Sequence, residues 1–318
     1  MSFSIAHHFA PATGALLTQH PAIGEVRAID PADRWALPTD VDIIFALHGS
    51  DVGPVTAPRP AGWPGQVRLV QIASSGIDGY PEWLFEAPQV ATAAGTGAGP
   101  IAEYVLTVML MHEKRLPAMQ VRDGEAWVSQ DAMVANPLGS LEGRTVGLIG
   151  VGEIGGRVAK LAQAFGARVV ASRRRGGAGP EGVEIVALDD VLARADHLVV
   201  AAPLSPATAG LLDAAAFAKV KRGVHLVNIA RGGIVDTAAL IAALEAGQVG
   251  AASLDVTDPE PLPAGHPLWS EARCLITPHM ADTPEMTAPL LAERIRLNVR
   301  AYLTTGRFVG VVDPRFGY

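Results

Sequence analysis

Thr145-Val146-Gly147-Leu148-Ile149-Gly150-Val151-Gly152-Glu153-Ile154-Gly155 is the stretch on which the reading of this chain turns. Thr145–Ile149 has the continuous apolar character of a buried strand, and a helical period follows from Gly155 to Phe165. Between them lies the spacing GxGxxG, in which each glycine has its own task. Gly150 permits a tight turn, Gly152 lets a pyrophosphate approach the backbone, and Gly155 lets helix and strand pack closely. The helix start then presents unpaired N–H groups and a partial positive charge. Glycine-rich turns also occur without a ligand, but a strand before and a helix after are what a dinucleotide requires.

The same alternation extends outward from this turn. Candidate strands are Thr145–Ile149, Arg168–Ala171, His197–Ala201, Val224–Ile229, Gly250–Leu254 and Cys274–Ile276, with helices beginning near Gly155, Leu188, Asp213 and Thr237. Strands spaced by helices imply a doubly wound parallel sheet of the Rossmann kind. Upstream, Ser4–His8, Val41–Leu47, Val67–Ala73 and Val90–Ala93 read as strands of a second parallel sheet. Asp51–Gly65, with four prolines, reads as loop. Ala93–Pro100 is a glycine-rich joint opening into the amphipathic stretch Ile101–Leu116, where Pro100 suits a first helical position. Thr283–Thr305 carries another helical period (Met286, Leu290, Leu291, Ile295, Val299, Tyr302) and is expected to return to the first domain. The expected α/β fold therefore has two doubly wound parallel-sheet domains. Residues 98–282 form a Rossmann dinucleotide-binding domain inserted in a flavodoxin-like substrate domain of residues 1–97 and 283–318.

Composition narrows the functional classes. At 318 residues, 49% apolar and 18% charged, the chain can build two sizeable cores. Its net charge of -7 gives no basic footprint for nucleic acid. Cys274, the sole cysteine, excludes an internal disulfide and a cysteine-based metal site. There is no basic leader with an apolar stretch at the N-terminus and no apolar run of roughly 18 residues. The expectation is a cytoplasmic protein without membrane or nucleic-acid partners and without a metal site.

The end of the strand after the glycine turn bears on which dinucleotide binds. An acid there would accept from the adenosine ribose and mark NAD. This chain has Ala171-Ser172-Arg173-Arg174-Arg175 and no carboxylate. A hydroxyl at Ser172 followed by the guanidinium forks of Arg173 and Arg174 suits a 2′-phosphate, so NADP(H) is preferred, with NAD(H) the alternative. A solvated basic loop is the reading without a ligand.

Three later segments lie at C-terminal ends of candidate strands, where open α/β sheets bind ligands. They are Val227-Asn228-Ile229-Ala230-Arg231-Gly232-Gly233, Leu254-Asp255-Val256-Thr257-Asp258-Pro259-Glu260-Pro261-Leu262 and Thr277-Pro278-His279-Met280-Ala281. With the glycine turn, with Ala73-Ser74-Ser75-Gly76-Ile77-Asp78 and with Pro203-Leu204-Ser205-Pro206-Ala207-Thr208, the chain resembles the D-isomer-specific 2-hydroxyacid dehydrogenases over nearly its whole length. The missing acid after the second strand and the ending Val312-Asp313-Pro314-Arg315-Phe316-Gly317-Tyr318 look like the glyoxylate/hydroxypyruvate reductase side of that family.

The resemblance implies a 2-keto acid reductase and a set of roles that the chemistry can be weighed against. Arg231 would hold the substrate carboxylate and carbonyl, because a planar cationic fork stabilises charge developing on oxygen. His279 would donate the proton in reduction and accept it in the reverse direction, and Glu260 would orient that imidazole and raise its pKa. The N–H groups around Ser75 and Gly76 would complete the carboxylate site. Asp255 and Pro203 would line the nicotinamide pocket with Ala230 beside them, and the peptides of Glu153 and Ile154 would face the pyrophosphate. The family also implies a homodimer, with Ile101–Leu116 and Trp127 as candidate interface elements. Taken singly, Arg231, Glu260 and His279 read equally well as a strand-end arginine, a loop carboxylate and a strand cap. Other readings that keep this fold are another 2-hydroxy acid, formate or phosphite as substrate, or a dinucleotide-sensing corepressor.

The remaining histidines carry little chemistry by pattern. His7 and His8 adjoin on a strand and point to opposite faces, which is poor metal geometry. His48 ends a strand and could touch substrate, while His112, His197 and His225 fall in core-like patterns without partners at ligand spacing.

Overall fold

The structure, a computed structural model, describes residues 2–47, 55–77, 79–119, 124, 127, 137–174 and 177–312. The chain divides into two compact units, Met1–Gly97 with Thr283–Tyr318, and Ala98–Asp282.

In the first unit, β1 (Phe3–His7), β2 (Ile23–Ala28), β3 (Ile43–Ala46), β4 (Leu69–Ile72) and β5 (Val90–Ala91) form one sheet in the order β2-β1-β3-β4-β5. Every pairing is parallel, and the order is the 2-1-3-4-5 of flavodoxin-like sheets. β3 and β4 are buried at every residue, which explains their apolar sequence, interrupted only by Gln71. Helix Pro284–Thr305 covers one face, laying Leu291, Ala292, Ile295 and Val299 against Phe3, Ile5 and Phe45. Pro284 opens it, and Gly306 ends it with a φ of 71°. Trp63, Tyr80 and Leu84 pack on the other face against Ala6, Ile44 and Val70. Sequence patterning gives no strand at β2, because only Ile23 of its six residues is fully buried.

The second unit is a seven-stranded parallel sheet. It comprises β6 (Thr145–Ile149), β7 (Arg168–Ser172), β8 (Val183–Ile185), β9 (His197–Val200), β10 (Val224–Asn228), β11 (Val249–Leu254) and β12 (Cys274–Ile276). The order is β12-β11-β10-β9-β6-β7-β8, the winding of a Rossmann sheet with one further strand. Strand β8 carries no patterning signal, since all three residues are only partly buried or exposed. Helices Ala98–Lys114 and Glu153–Ala164 cover one face through Val105, Met109, Val158 and Ala162. Helices Leu188–Arg194 and Thr237–Glu245 cover the other through Val191, Leu192, Leu240 and Leu244. The helix expected near Asp213 is a single turn, Ala214–Phe217, capped by the Asp213 carboxylate accepting from the Ala216 N–H. Helix Ala98–Lys114 begins before Ile101 and takes Gly99 and Pro100 into its first turn. No helix among the described residues is long and apolar enough to cross a membrane.

His197 and His225 are buried, and the fold gives them hydrogen-bond partners that spacing along the sequence does not reveal, because three strands and a helix distant in sequence meet here. Arg144 Nε lies 2.9 Å from Glu113 Oε1, and His197 Nε2 donates to the same oxygen at 3.0 Å. A carboxylate only accepts, so His197 carries a proton on Nε2, while its Nδ1 and His225 Nδ1 share one proton across 3.0 Å. His225 Nε2 in turn shares a hydrogen bond of 2.9 Å with the Ser253 hydroxyl. The His112 ring stacks on His225 with centroids 4.4 Å apart. Burial, then the nearby His112 and His197, hold the His225 pKa well below its ordinary value. Burial would raise Glu113, but the hydrogen bonds from His197 and Arg144 outweigh it and bring its pKa down to about 2.

Acidification therefore costs stability. Unfolded His225 takes up a proton near its ordinary value of 6.5 while the folded group stays neutral, so its contribution is lost as pH falls below that point. His225→Gln should flatten the fall in unfolding free energy between pH 6.5 and about 5, by up to about 1.4 kcal/mol per pH unit. Urea unfolding at a series of pH values measures this, and an unchanged slope would contradict it.

Candidate active site

In the second sheet the chain leaves β6 toward β7 and β8 on one side and resumes at β9 on the other, which makes the β6/β9 boundary its switch point. The glycine turn sits there. Gly150 has a φ of +94°, and a Cβ on it would lie 2.8 Å from the Ala202 backbone. A Cβ on Gly155 would lie 2.4 Å from the Gly150 carbonyl oxygen, so neither position tolerates a side chain. A Cβ on Gly152 would meet nothing within 4 Å, so the space before the turn is open. Gly152 is also the N-cap of helix Glu153–Ala164 and offers no side-chain cap, so the first-turn N–H groups suit phosphate oxygens. The turn fits a dinucleotide pyrophosphate.

Ser172 ends β7 beside Ile149, and its carbonyl accepts from the Gly150 N–H at 2.9 Å. Arg173 Nη1 donates to the Ala178 carbonyl at 3.0 Å and closes the following loop, while Arg174 is exposed. After β9, the Thr208 hydroxyl donates to the Pro203 carbonyl at 2.7 Å and accepts from the Ser205 N–H at 2.8 Å.

Beyond β10 the buried Asn228 carboxamide shapes the turn that carries Arg231. Its Oδ1 accepts from the Ala230 N–H at 3.1 Å and its Nδ2 donates to the Arg231 carbonyl at 3.0 Å. Arg231 Nη1 donates to the Ala230 carbonyl at 2.7 Å. A Cβ on Gly232 would lie 2.0 Å from the Thr257 carbonyl, so only glycine lets the β10 and β11 loops meet. Glu260, on the β11 loop, accepts from the Thr257 N–H at 3.3 Å through Oε2 and turns Oε1 to His279 Nδ1 at 2.7 Å.

His279 has a φ of +50°, a left-handed conformation that costs a non-glycine residue about 1–3 kcal/mol. Asp255, 3% exposed, holds it there. Its backbone carbonyl accepts from the His279 N–H at 2.8 Å. Its carboxylate accepts from the Met280 N–H at 2.9 Å and the Ala281 N–H at 3.0 Å. The structure thus places Asp255 beneath the turn.

The hydrogen bond with Glu260 raises the His279 pKa; burial opposes it, the Glu260 and Asp255 charges add to it, and Arg231 works against it. Burial would raise Glu260, but the bond with His279 and its charge outweigh this and lower its pKa. The imidazole thus donates through Nδ1 to Glu260, and the side chain remains 41% exposed. Arg231, Asp255, Glu260 and His279 are brought together within the second unit.

Ser75 and Gly76 belong to the first unit, in the turn after β4. The Ser74 hydroxyl donates to the Gly76 carbonyl at 2.6 Å, and the Tyr80 hydroxyl accepts from the Ala73 N–H at 3.2 Å. His48, Asp78 and Arg175 lie outside the described residues. Sequence reasoning assigns no role to Asn228 or Thr277. The available signal was a short polar side chain at a strand end, where such groups bond to nearby backbone.

Residues 106–281 match the D-isomer specific 2-hydroxyacid dehydrogenase family, NAD binding domain, and the chain belongs to this family. It is 37% identical over 304 residues to a D-3-phosphoglycerate dehydrogenase of Mycobacterium tuberculosis, covering 92% of this chain and 56% of that protein. The chain thus spans about half the length of the curated relatives it matches first. A D-isomer specific 2-hydroxyacid dehydrogenase from Xanthobacter autotrophicus Py2, solved with NADPH and MES, matches with a TM-score of 0.80 and 30% identity over 100% of both chains. An NADPH-dependent glyoxylate/hydroxypyruvate reductase from Sinorhizobium meliloti, solved with NADP and sulfate, matches with a TM-score of 0.76 and 25% identity, also over 100% of both.

Replacing Glu260 with Gln removes the main cause of the raised His279 pKa. Histidine titration by NMR should show the His279 pKa fall toward its ordinary value of 6.5, and an unchanged titration would refute the assignment.

Proposed function

We propose that this chain reduces a small 2-keto acid of the glyoxylate or hydroxypyruvate type to the D-2-hydroxy acid with NADP(H). The observation that carries this reading is the Glu260–His279 pair beside Arg231, in the same sheet as an open glycine turn. Residues 98–282 would bind the dinucleotide, and residues 1–97 with 283–318 would bind the acid.

The dinucleotide, when bound, supplies the hydride. Gly150, Gly152, Glu153, Ile154 and Gly155 would hold its pyrophosphate, with Pro203, Ala230 and Asp255 toward the nicotinamide. Arg231 and the N–H groups of Ser75 and Gly76 would hold the substrate carboxylate, and Arg231 would stabilise the charge gathering on the carbonyl oxygen. His279, kept protonated by Glu260, would give that oxygen its proton. One hydride and one proton then balance the conversion of the 2-carbonyl group to an alcohol. A raised His279 pKa keeps the acid form present near neutrality, so reduction should weaken as pH rises through that pKa and oxidation should strengthen.

Preference for NADP(H) is supported by the absence of a carboxylate at the end of β7, by Ser172, Arg173 and Arg174 there, and by the NADPH and NADP in the two similar structures. The mycobacterial relative favours a second reading, with D-3-phosphoglycerate as substrate. On the family's pattern the chain would pair with a second copy through its dinucleotide unit. Trp127, 77% exposed, is the better candidate contact, since Val105, Leu106 and Met109 of Ile101–Leu116 are spent on the unit's own core.

Absorbance near 340 nm, followed with NADPH or NADH and a panel of 2-keto acids, tests the proposal. NADPH oxidation with glyoxylate or hydroxypyruvate is expected. His279→Asn should lower turnover by about a thousandfold with cofactor affinity kept. Arg173→Glu should weaken NADPH far more than NADH. Cofactor binding without turnover of any acid would contradict the reductase assignment and favour a dinucleotide-sensing protein.

A further inference from the structure

Helix Ala98–Lys114 directs one polar group toward the His279 turn. Tyr104 Oη lies 2.7 Å from Thr277 Oγ1, and the Thr277 hydroxyl donates to Asp255 Oδ1 at 2.7 Å. The direction of this chain is settled by its acceptor end. Asp255 already accepts two backbone N–H groups, so its carboxylate takes the Thr277 proton, and the Thr277 oxygen must accept from Tyr104. Burial pushes the Tyr104 phenol up, which keeps its O–H available for donation.

We propose that Tyr104 is a positioning residue for His279, acting through the Thr277 hydroxyl and the Asp255 carboxylate. This rests on the reading of His279 as proton donor, and it adds a residue with no place in that chemistry. Asp255 grips the backbone at His279, Met280 and Ala281. Thr277 is its only side-chain donor among the described residues, and Tyr104 orients that donor. Charged groups acting on His279 are Glu260, Arg231 and Asp255. Without the Tyr104 hydroxyl, Thr277 rotates, the carboxylate loses a fixed partner, and the turn that sets the 2.7 Å contact with Glu260 loosens.

The ring of Tyr104 also packs against the core, so the test must separate hydroxyl from ring. Tyr104→Phe keeps the ring. NMR titration should show the His279 pKa in this variant lowered by about half a unit. Reduction should lose about tenfold in kcat, with NADPH affinity within about twofold of wild type. Thr277→Val should do the same, and Thr277→Ser, which keeps the hydroxyl, should recover most of the loss. The double variant Tyr104→Phe/Thr277→Val should be no worse than Thr277→Val alone, because one residue acts through the other. An unchanged His279 titration in Tyr104→Phe, or losses that add in the double variant, would overturn the proposal. Should Tyr104→Phe fail to fold, the Thr277→Val and Thr277→Ser pair decides by the same titration. If the wild-type chain reduces no 2-keto acid, the functional reading fails by itself, since the titration needs no turnover.

Discussion

The contact between Glu260 and His279, 2.7 Å long, sets the demands that the rest of the second unit meets. A partly exposed imidazole beside the Arg231 cation would lose its proton readily, because a like charge and burial both favour the neutral form. The carboxylate reverses that balance only while it stays at hydrogen-bond distance. Two loops from different strands must therefore be held in register to within a few tenths of an ångström. Gly232 lets the β10 and β11 loops touch, Asn228 shapes the turn carrying Arg231, and Asp255 fixes the backbone of the turn carrying His279.

A parallel sheet suits this task, since its strands end together along one edge. The N–H of Asp255 bonds to the Asn228 carbonyl and that of Thr277 to the Leu254 carbonyl, so the ladder extends into the loops and carries its register with it. The glycine turn obeys the same rule at the other side of the switch point. Its first and third glycines are dictated by the protein's own packing. The second meets only open space, and its need for glycine is explained by a ligand approaching the backbone.

Much of this was legible in the sequence, and the gaps have physical causes. Strands β6, β9 and β10 announce themselves because burial on both faces makes most of their residues apolar. Strands β2 and β8 do not, because most β2 side chains are exposed and those of β8 are at best partly buried. Arg231, Glu260 and His279 could be singled out only through the motifs around them, since each has an ordinary structural reading by itself. The buried histidine network stayed hidden because its contacts join residues 28 and 84 positions apart. Likewise the bond between Tyr104 and Thr277 spans 173 positions, and nothing in either local pattern points to the other.

The proposed function requires direct hydride transfer to one face of a 2-keto acid. Reduction of hydroxypyruvate with NADPH doubly deuterated at C4, followed by NMR and chiral chromatography of the glycerate, measures both parts together. D-glycerate carrying deuterium at C2 is the predicted product. Unlabelled glycerate, or the L enantiomer, would contradict the account.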